Sequence, residues 1–163
     1  MKLPKGLLEN LKQGEAVIEA MKTSSIASKP DWTILTDSRI IYFNEKHLGR
    51  YDLVVIPFTQ LKLMVAERGM LSHGSIQFQK ENGEEVKLEK VPKKAIEPFV
   101  NALETAMNMI AVEPIGIIRN KGLMGKQSWV FEKTAETLFR SIATPPPPPS
   151  FQQQPPPSPL EML

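Results

Sequence analysis

Hydrophobic and polar positions alternate with a period of two in Ser75-Ile76-Gln77-Phe78-Gln79 and in Glu85-Val86-Lys87-Leu88-Glu89. That period places Ile76 with Phe78, and Val86 with Leu88, on single faces of two strands that each bury one side only. Strand-like runs at 32–35 and 39–43 flank Thr36-Asp37-Ser38, whose short side chains bond turn backbones, so a hairpin is predicted there. Further strands are predicted at 15–23, 51–57, 61–67, 74–80 and 85–89, with turn signals at 45–49, 68–73 and 81–83. Asn82-Gly83 predicts a type I′ turn, in which both central residues need positive φ. Residues 6–11 form a short candidate helix that a glycine stop ends at Gly14.

The period then changes. Ile96, Phe99, Val100, Leu103, Met107 and Ile110 recur every three or four residues, which predicts an amphipathic helix. Pro98 fits it if the helix begins near Lys94 or Ala95, where first-turn N–H groups lack partners anyway. About seven short strands followed by one such helix imply an α+β fold: a strongly bent antiparallel sheet capped by the helix. Beyond Pro114, the glycine-bearing stretch 115–126 reads as a mobile connector. Ser128 then serves as the N-cap of a predicted second helix with Phe131, Ala135, Leu138, Phe139 and Ile142 on one stripe. That stripe needs a cover, from its own domain, from a second copy in a homo-oligomer, or from a partner.

Composition shifts after Ala143. Residues 144–163 hold 9 of the 15 prolines and no basic residue, so they cannot build a core and are expected to be a disordered proline-rich tail. Polyproline II geometry would make it a semi-rigid spacer of ~40–60 Å. Phe151, Leu160, Met162 and Leu163 are apolar residues set in this spacer, and Pro156 with Pro159 gives a PxxP register of the kind that docks in aromatic-lined grooves. The expected organisation is a domain at 1–113, a connector and helix at 114–143, and the tail at 144–163.

Charge and residue chemistry narrow the function. Net charge is +2 with both signs interspersed, so bulk electrostatics does not favour nucleic acid, and any anion binding must come from a local patch. The candidates for anionic-surface contact are Lys22, Lys29, Lys46, Arg50, Arg119, Lys121 and Lys126. Gly125-Lys126 lacks the following hydroxyl of a phosphate loop, because Gln127 stands there. Without cysteine there is no thiolate metal site, disulfide or cysteine nucleophile, and His47 and His73 stand apart from any ligand pattern. No metal, cofactor or catalytic constellation is expected. The N-terminal residues lack the apolar core of a secretory signal, no apolar run nears the roughly 20 residues that span a bilayer, and a cytoplasmic location is expected.

The hairpin Ile34-Leu35-Thr36-Asp37-Ser38-Arg39-Ile40-Ile41-Tyr42-Phe43 resembles the leucine-threonine-x-x-arginine hairpin of bacterial and archaeal pleckstrin-homology-like (PH-like) domains. Val55-Ile56-Pro57-Phe58-Thr59-Gln60-Leu61 resembles their proline-aromatic step into the next strand, and the element order matches over residues 8–111. The resemblance implies the PH-like fold and says little about function, because that scaffold carries lipid, peptide and self-assembly sites. Lipid-binding members carry several Lys and Arg in the loop joining their first two strands. Here that loop offers Lys22 and Lys29 alone, so a specific phosphoinositide site is not expected there. The reading is a non-enzymatic adaptor whose tail recruits a protein partner; the alternative is a peripheral membrane or polyanion-binding module that uses its basic loops.

Overall fold

The computed structural model describes residues 2–24 and 29–140. Four strands, β1 (Val17–Lys22), β2 (Asp31–Thr36), β3 (Arg39–Glu45) and β4 (Tyr51–Pro57), form an antiparallel meander. The second antiparallel sheet has the order β7-β6-β5-β9-β8, from β5 (Leu61–Arg68), β6 (His73–Lys80), β7 (Glu85–Pro92), β8 (Ile118–Lys121) and β9 (Gln127–Glu132). The predicted bent sheet is therefore two sheets. They turn into one another at Pro57-Phe58, where the Phe58 N–H donates to the Ser38 carbonyl at 3.1 Å. They meet again where the Ser24 N–H donates to the Lys90 carbonyl at 2.9 Å.

Between the sheets lies α2 (Lys93–Asn108), which starts one residue ahead of the predicted window and runs through Pro98. Its Ile96, Phe99, Val100, Leu103 and Met107 are wholly buried against Leu35, Ile40 and Ile56 of one sheet and Met64, Ile76, Phe78 and Leu88 of the other. Each such side chain contributes about 1.5–3 kcal/mol of transfer free energy. Phe99 meets Phe78 edge-on with ring centroids 6.1 Å apart. At Gly74 a Cβ would collide with the Glu67 carbonyl and with Ile96 Cδ1, so this glycine is what lets α2 sit down on β6.

The strands β2 and β3 bury both faces. A smaller core of Leu7, Trp32, Ile34, Ile41 and Phe43 lies on the outer side of the first sheet, covered by the short α1 (Lys5–Leu8). Gly6 carries no Cβ against the Phe43 and Tyr51 rings, which lets α1 close down on them. Consecutive apolar pairs such as Ile34-Leu35 and Ile40-Ile41 follow from this two-sided burial. At the β6–β7 turn only Gly83 has positive φ, and the Gly83 N–H donates to the Lys80 carbonyl at 2.9 Å. The turn is thus a type I turn closed by a left-handed glycine, not the predicted type I′.

The predicted second helix does not form. Trp129 and Phe131 sit two residues apart and are both buried, which a strand allows and a helix, placing them on opposite faces, does not. The strand β9 pairs with β5 from Leu63↔Glu132 to Arg68↔Gln127, and β8 pairs on its outer side. Past Glu132, the Thr134 N–H donates to Thr137 Oγ1 at 3.0 Å and the Glu136 N–H to Thr134 Oγ1 at 3.3 Å, local bonds that compete with helix. Phe139 bridges Ala111, Ala135 and Leu138 are exposed, and Ile142 lies outside the described residues. Chain 115–132 is therefore built into the second sheet rather than being a connector and helix.

The N-terminal arm is fixed by one buried ion pair. Arg39 Nε donates to Glu15 Oε2 at 2.6 Å and its Nη2 to Glu15 Oε1 at 2.7 Å and to the Asn10 carbonyl at 2.8 Å. The Lys12 N–H and the Thr36 hydroxyl donate to the same carboxylate at 2.9 and 2.8 Å. The two side chains are 9% and 4% exposed, so neither charge has water as an alternative partner. Burial alone would raise the Glu15 carboxyl, but the hydrogen bonds from Arg39, Lys12 and Thr36 and the Arg39 charge bring it down to about 2.

The Arg39→Met substitution should destabilise the fold by about 3 kcal/mol in a urea titration, because it strands the Glu15 carboxylate. With the folded Glu15 held at about 2 against an ordinary 4.5, the pair's contribution is complete above pH 4.5 and is lost as pH falls toward 2. The Glu15→Gln variant should therefore show a shallower fall of unfolding free energy across that window.

Candidate functional site

The hairpin β8–β9 reaches its place because α2 offers a polar edge. Asn108 Nδ2 donates to the Ile115 carbonyl at 2.8 Å while its Oδ1 accepts from the Ile115 N–H at 2.7 Å, and Glu104 Oε2 accepts from the Ile117 N–H at 2.7 Å. Arg119 then grips Glu104 through Nη1 at 3.1 Å and Nη2 at 3.2 Å, and Asn101 Oδ1 at 2.8 Å. Burial pushes the Glu104 carboxyl up, but Arg119 and the Ile117 N–H outweigh this and leave it below its ordinary value. Arg119, expected at an anionic surface, is a clamp that holds β8 to α2.

The other expected cations divide in the same way. Lys29 pairs with Glu45 at 3.3 Å, Lys46 pairs with Asp52 at 3.0 Å, and Lys22 lies over the Trp32 ring at 5.4 Å. Arg50 is exposed beside the β3–β4 turn. Lys121 and Lys126, like Arg50, are exposed and make no ion pair among the described residues, but these two stand together. They stand on one wall of an open cleft of about 620 Å³, whose other wall carries Arg68, Gly69 and His73. The register Arg68↔Gln127 sets the two walls side by side. Arg68 contributes from below, stacked 5.2 Å over Trp129 and bonded to Glu97 at 3.1 Å and to Gln127 at 2.9 Å.

Two hairpin tips crown the cleft. Residues 69–72 join β5 to β6, and 122–126 join β8 to β9. Met70 and Leu71 on the first, and Leu123 and Met124 on the second, are 64%, 79%, 86% and 72% exposed. The Gly122 N–H donates to the Lys126 carbonyl at 2.8 Å and the Lys126 N–H to the Leu123 carbonyl at 3.2 Å, so these two backbone donors are used inside the turn. Next to the first tip, the Lys93 N–H donates to the Ser72 carbonyl at 3.0 Å. The basic first turn of α2, Lys93 and Lys94, therefore adjoins it, against the preference of the helix dipole.

Residues 11–105 match a family model described as a bacterial PH domain. The chain belongs to the bacterial PH domain family. It is also 40% identical over 124 residues, 76% of its own length, to an uncharacterised protein of Archaeoglobus fulgidus; it spans 65% of that relative. No solved structure matches it. The family match ends at Leu103 plus two residues, within α2, so the hairpin β8–β9 that builds one wall of the cleft lies beyond it.

Lys121 and Lys126 are the cleft residues expected from the sequence; Arg68, Lys93 and the two tips are not among those expected. The period-two pair Trp129 and Phe131 was the available sign that 127–132 is a strand and that 122–126 is a hairpin tip. The tail residues Phe151, Pro156, Pro159, Leu160, Met162 and Leu163 lie outside the described residues. No group of metal-ligating side chains occurs among the described residues, and no described helix is long and apolar enough to cross a membrane.

Removing the Arg119 guanidinium (Arg119→Ala) should cost about 1 kcal/mol in chemical denaturation, since it frees Glu104 and the β8 edge together. Lys121→Ala and Lys126→Ala should leave stability within ~0.5 kcal/mol.

Proposed function

We propose that this PH domain protein is a non-enzymatic adaptor whose body binds a phosphate-bearing polyanionic surface through the cleft between its two hairpin tips. The observation that carries this reading is the convergence of Arg68 with Lys121 and Lys126, two exposed lysines whose charge no carboxylate among the described residues neutralises. A concave site in which cations outnumber carboxylates concentrates a positive field and draws counter-charged ligands. Glu67, which also lines the cleft, tempers the potential. The family is consistent with this, being one of interaction modules rather than of enzymes.

The proline-rich segment supports the second half of the proposal, recruitment of a protein partner through Phe151, Pro156, Pro159, Leu160, Met162 and Leu163. Body and tail then serve as two ends of one adaptor. Self-association into a homo-oligomer belongs to the same proposal, through surfaces other than a helical stripe, since Gln127–Glu132 is a strand.

Immobilised heparin tests the body. The intact chain should be retained at low salt and released as salt rises, and Lys121→Glu with Lys126→Glu should abolish retention. A chain that flows through at low salt, or a double variant that elutes with the wild type, would reject the cleft. Deleting residues 144–163 should leave both the melting temperature and heparin retention nearly unchanged while removing partner pull-down.

A further inference from the structure

We infer that the two hairpin tips insert their apolar side chains into an anionic lipid bilayer, with the lysines around them engaging the headgroups. This deepens the polyanion reading and rests on it, naming the surface as a membrane. Four large apolar side chains, Met70, Leu71, Leu123 and Met124, 64–86% exposed, project from adjacent turns at one end of the second sheet, grouped rather than scattered singly. Lys121, Lys126 and the Arg68 guanidinium line the cleft beside them, and the first turn of α2, which holds Lys93 and Lys94, adjoins the first tip through the Lys93 N–H. Glu67 and Glu97 are the carboxylates facing this end, and Glu97 is already held by Arg68. Apolar tips with a cationic collar match the layering of a membrane surface, acyl boundary beneath phosphate.

The backbone adds an independent mark. Met124 lies at φ 59 in the left-handed region, followed by Gly125 at φ 77, the two central positions of a type I′ turn where Asn-Gly is the low-strain choice. A methionine there costs about 1 kcal/mol and covers nothing in the fold, being 72% exposed. The β3–β4 turn carries a similar left-handed Leu48, but its Lys46 is spent on Asp52 and Arg50 is the one unpaired cation beside it among the described residues, where the second sheet's tips have several. A protein groove is a poorer occupant than a bilayer: the apolar side chains stand beside a cleft lined by charged and polar residues, whereas a docking partner buries a continuous apolar patch.

Co-sedimentation of the full chain with phosphatidylcholine vesicles, with and without phosphatidylserine, tests this beside the heparin column. The wild type should sediment with phosphatidylserine vesicles and not with phosphatidylcholine alone. Combining Met70→Ser, Leu71→Ser, Leu123→Ser and Met124→Gly should weaken vesicle binding at least about tenfold while heparin elution stays unchanged. These positions are exposed and Met124→Gly relieves strain, so an unchanged melting temperature will show that the variant is folded. If the variant sediments like the wild type, or if the wild type binds heparin but not vesicles, insertion is overturned and the polyanion reading stands. If the wild type fails on heparin yet sediments in a tip-dependent way, insertion stands and the cleft as a general polyanion site falls. A Leu123→Trp reporter should shift its emission to shorter wavelength with phosphatidylserine vesicles; no shift counts against insertion.

Discussion

The burial of one face of α2 between two sheets is the constraint from which the rest of this structure follows. Neither sheet has another cover for its inner face, so Ile96, Phe99, Val100, Leu103 and Met107 set both the spacing and the crossing of the two layers. The glycine at 74 is a consequence, because the layers meet so closely at β6 that no Cβ fits beneath Ile96. The other faces are then free to differ. The first sheet takes a second, smaller core under α1, and the second sheet leaves its outer face to solvent-facing side chains such as Gln77 and Lys87.

The polar side of α2 determines where the candidate site lies. Asn101, Glu104 and Asn108 face away from the core and capture the returning chain by backbone and guanidinium contacts, which delivers β8 and β9 to the open edge of β5. An edge that would otherwise present unpaired N–H and C=O groups is thereby covered. The same event carries Lys121, Leu123, Met124 and Lys126 to the side of Arg68, Met70 and Leu71. One helix thus organises the core with its apolar face and the surface with its polar face.

The buried Arg39–Glu15 pair plays a narrower part. A pair this dry gives little net stability relative to an apolar replacement, yet it has a single geometry. Fork, carboxylate, Thr36 hydroxyl and the Lys12 N–H satisfy one another, and this fixes the N-terminal arm over the first sheet. The same arginine could be read from the sequence only as a hairpin residue at the start of a strand, since its partner lies 24 positions away and nothing local points to it.

The pattern of residues by itself determined the seven strands from β1 to β7, the hairpin at Thr36-Asp37-Ser38 and the apolar face of α2, because alternation and helical spacing are local signals that burial enforces. It also named Lys121 and Lys126 among seven cations open to anionic contact, without separating them from the rest. Only the tertiary structure decided that 127–132 is a strand. In isolation Phe131, Ala135, Leu138 and Phe139 fit a helix well, and the choice turned on the vacant edge of β5 and on room for Trp129 in the core. The separation of spent cations (Lys29, Lys46, Arg119) from free ones, and the gathering of four apolar tips beside the free ones, were likewise decided in three dimensions. Ion pairs across strands and turns brought side by side by sheet order leave no period in a sequence.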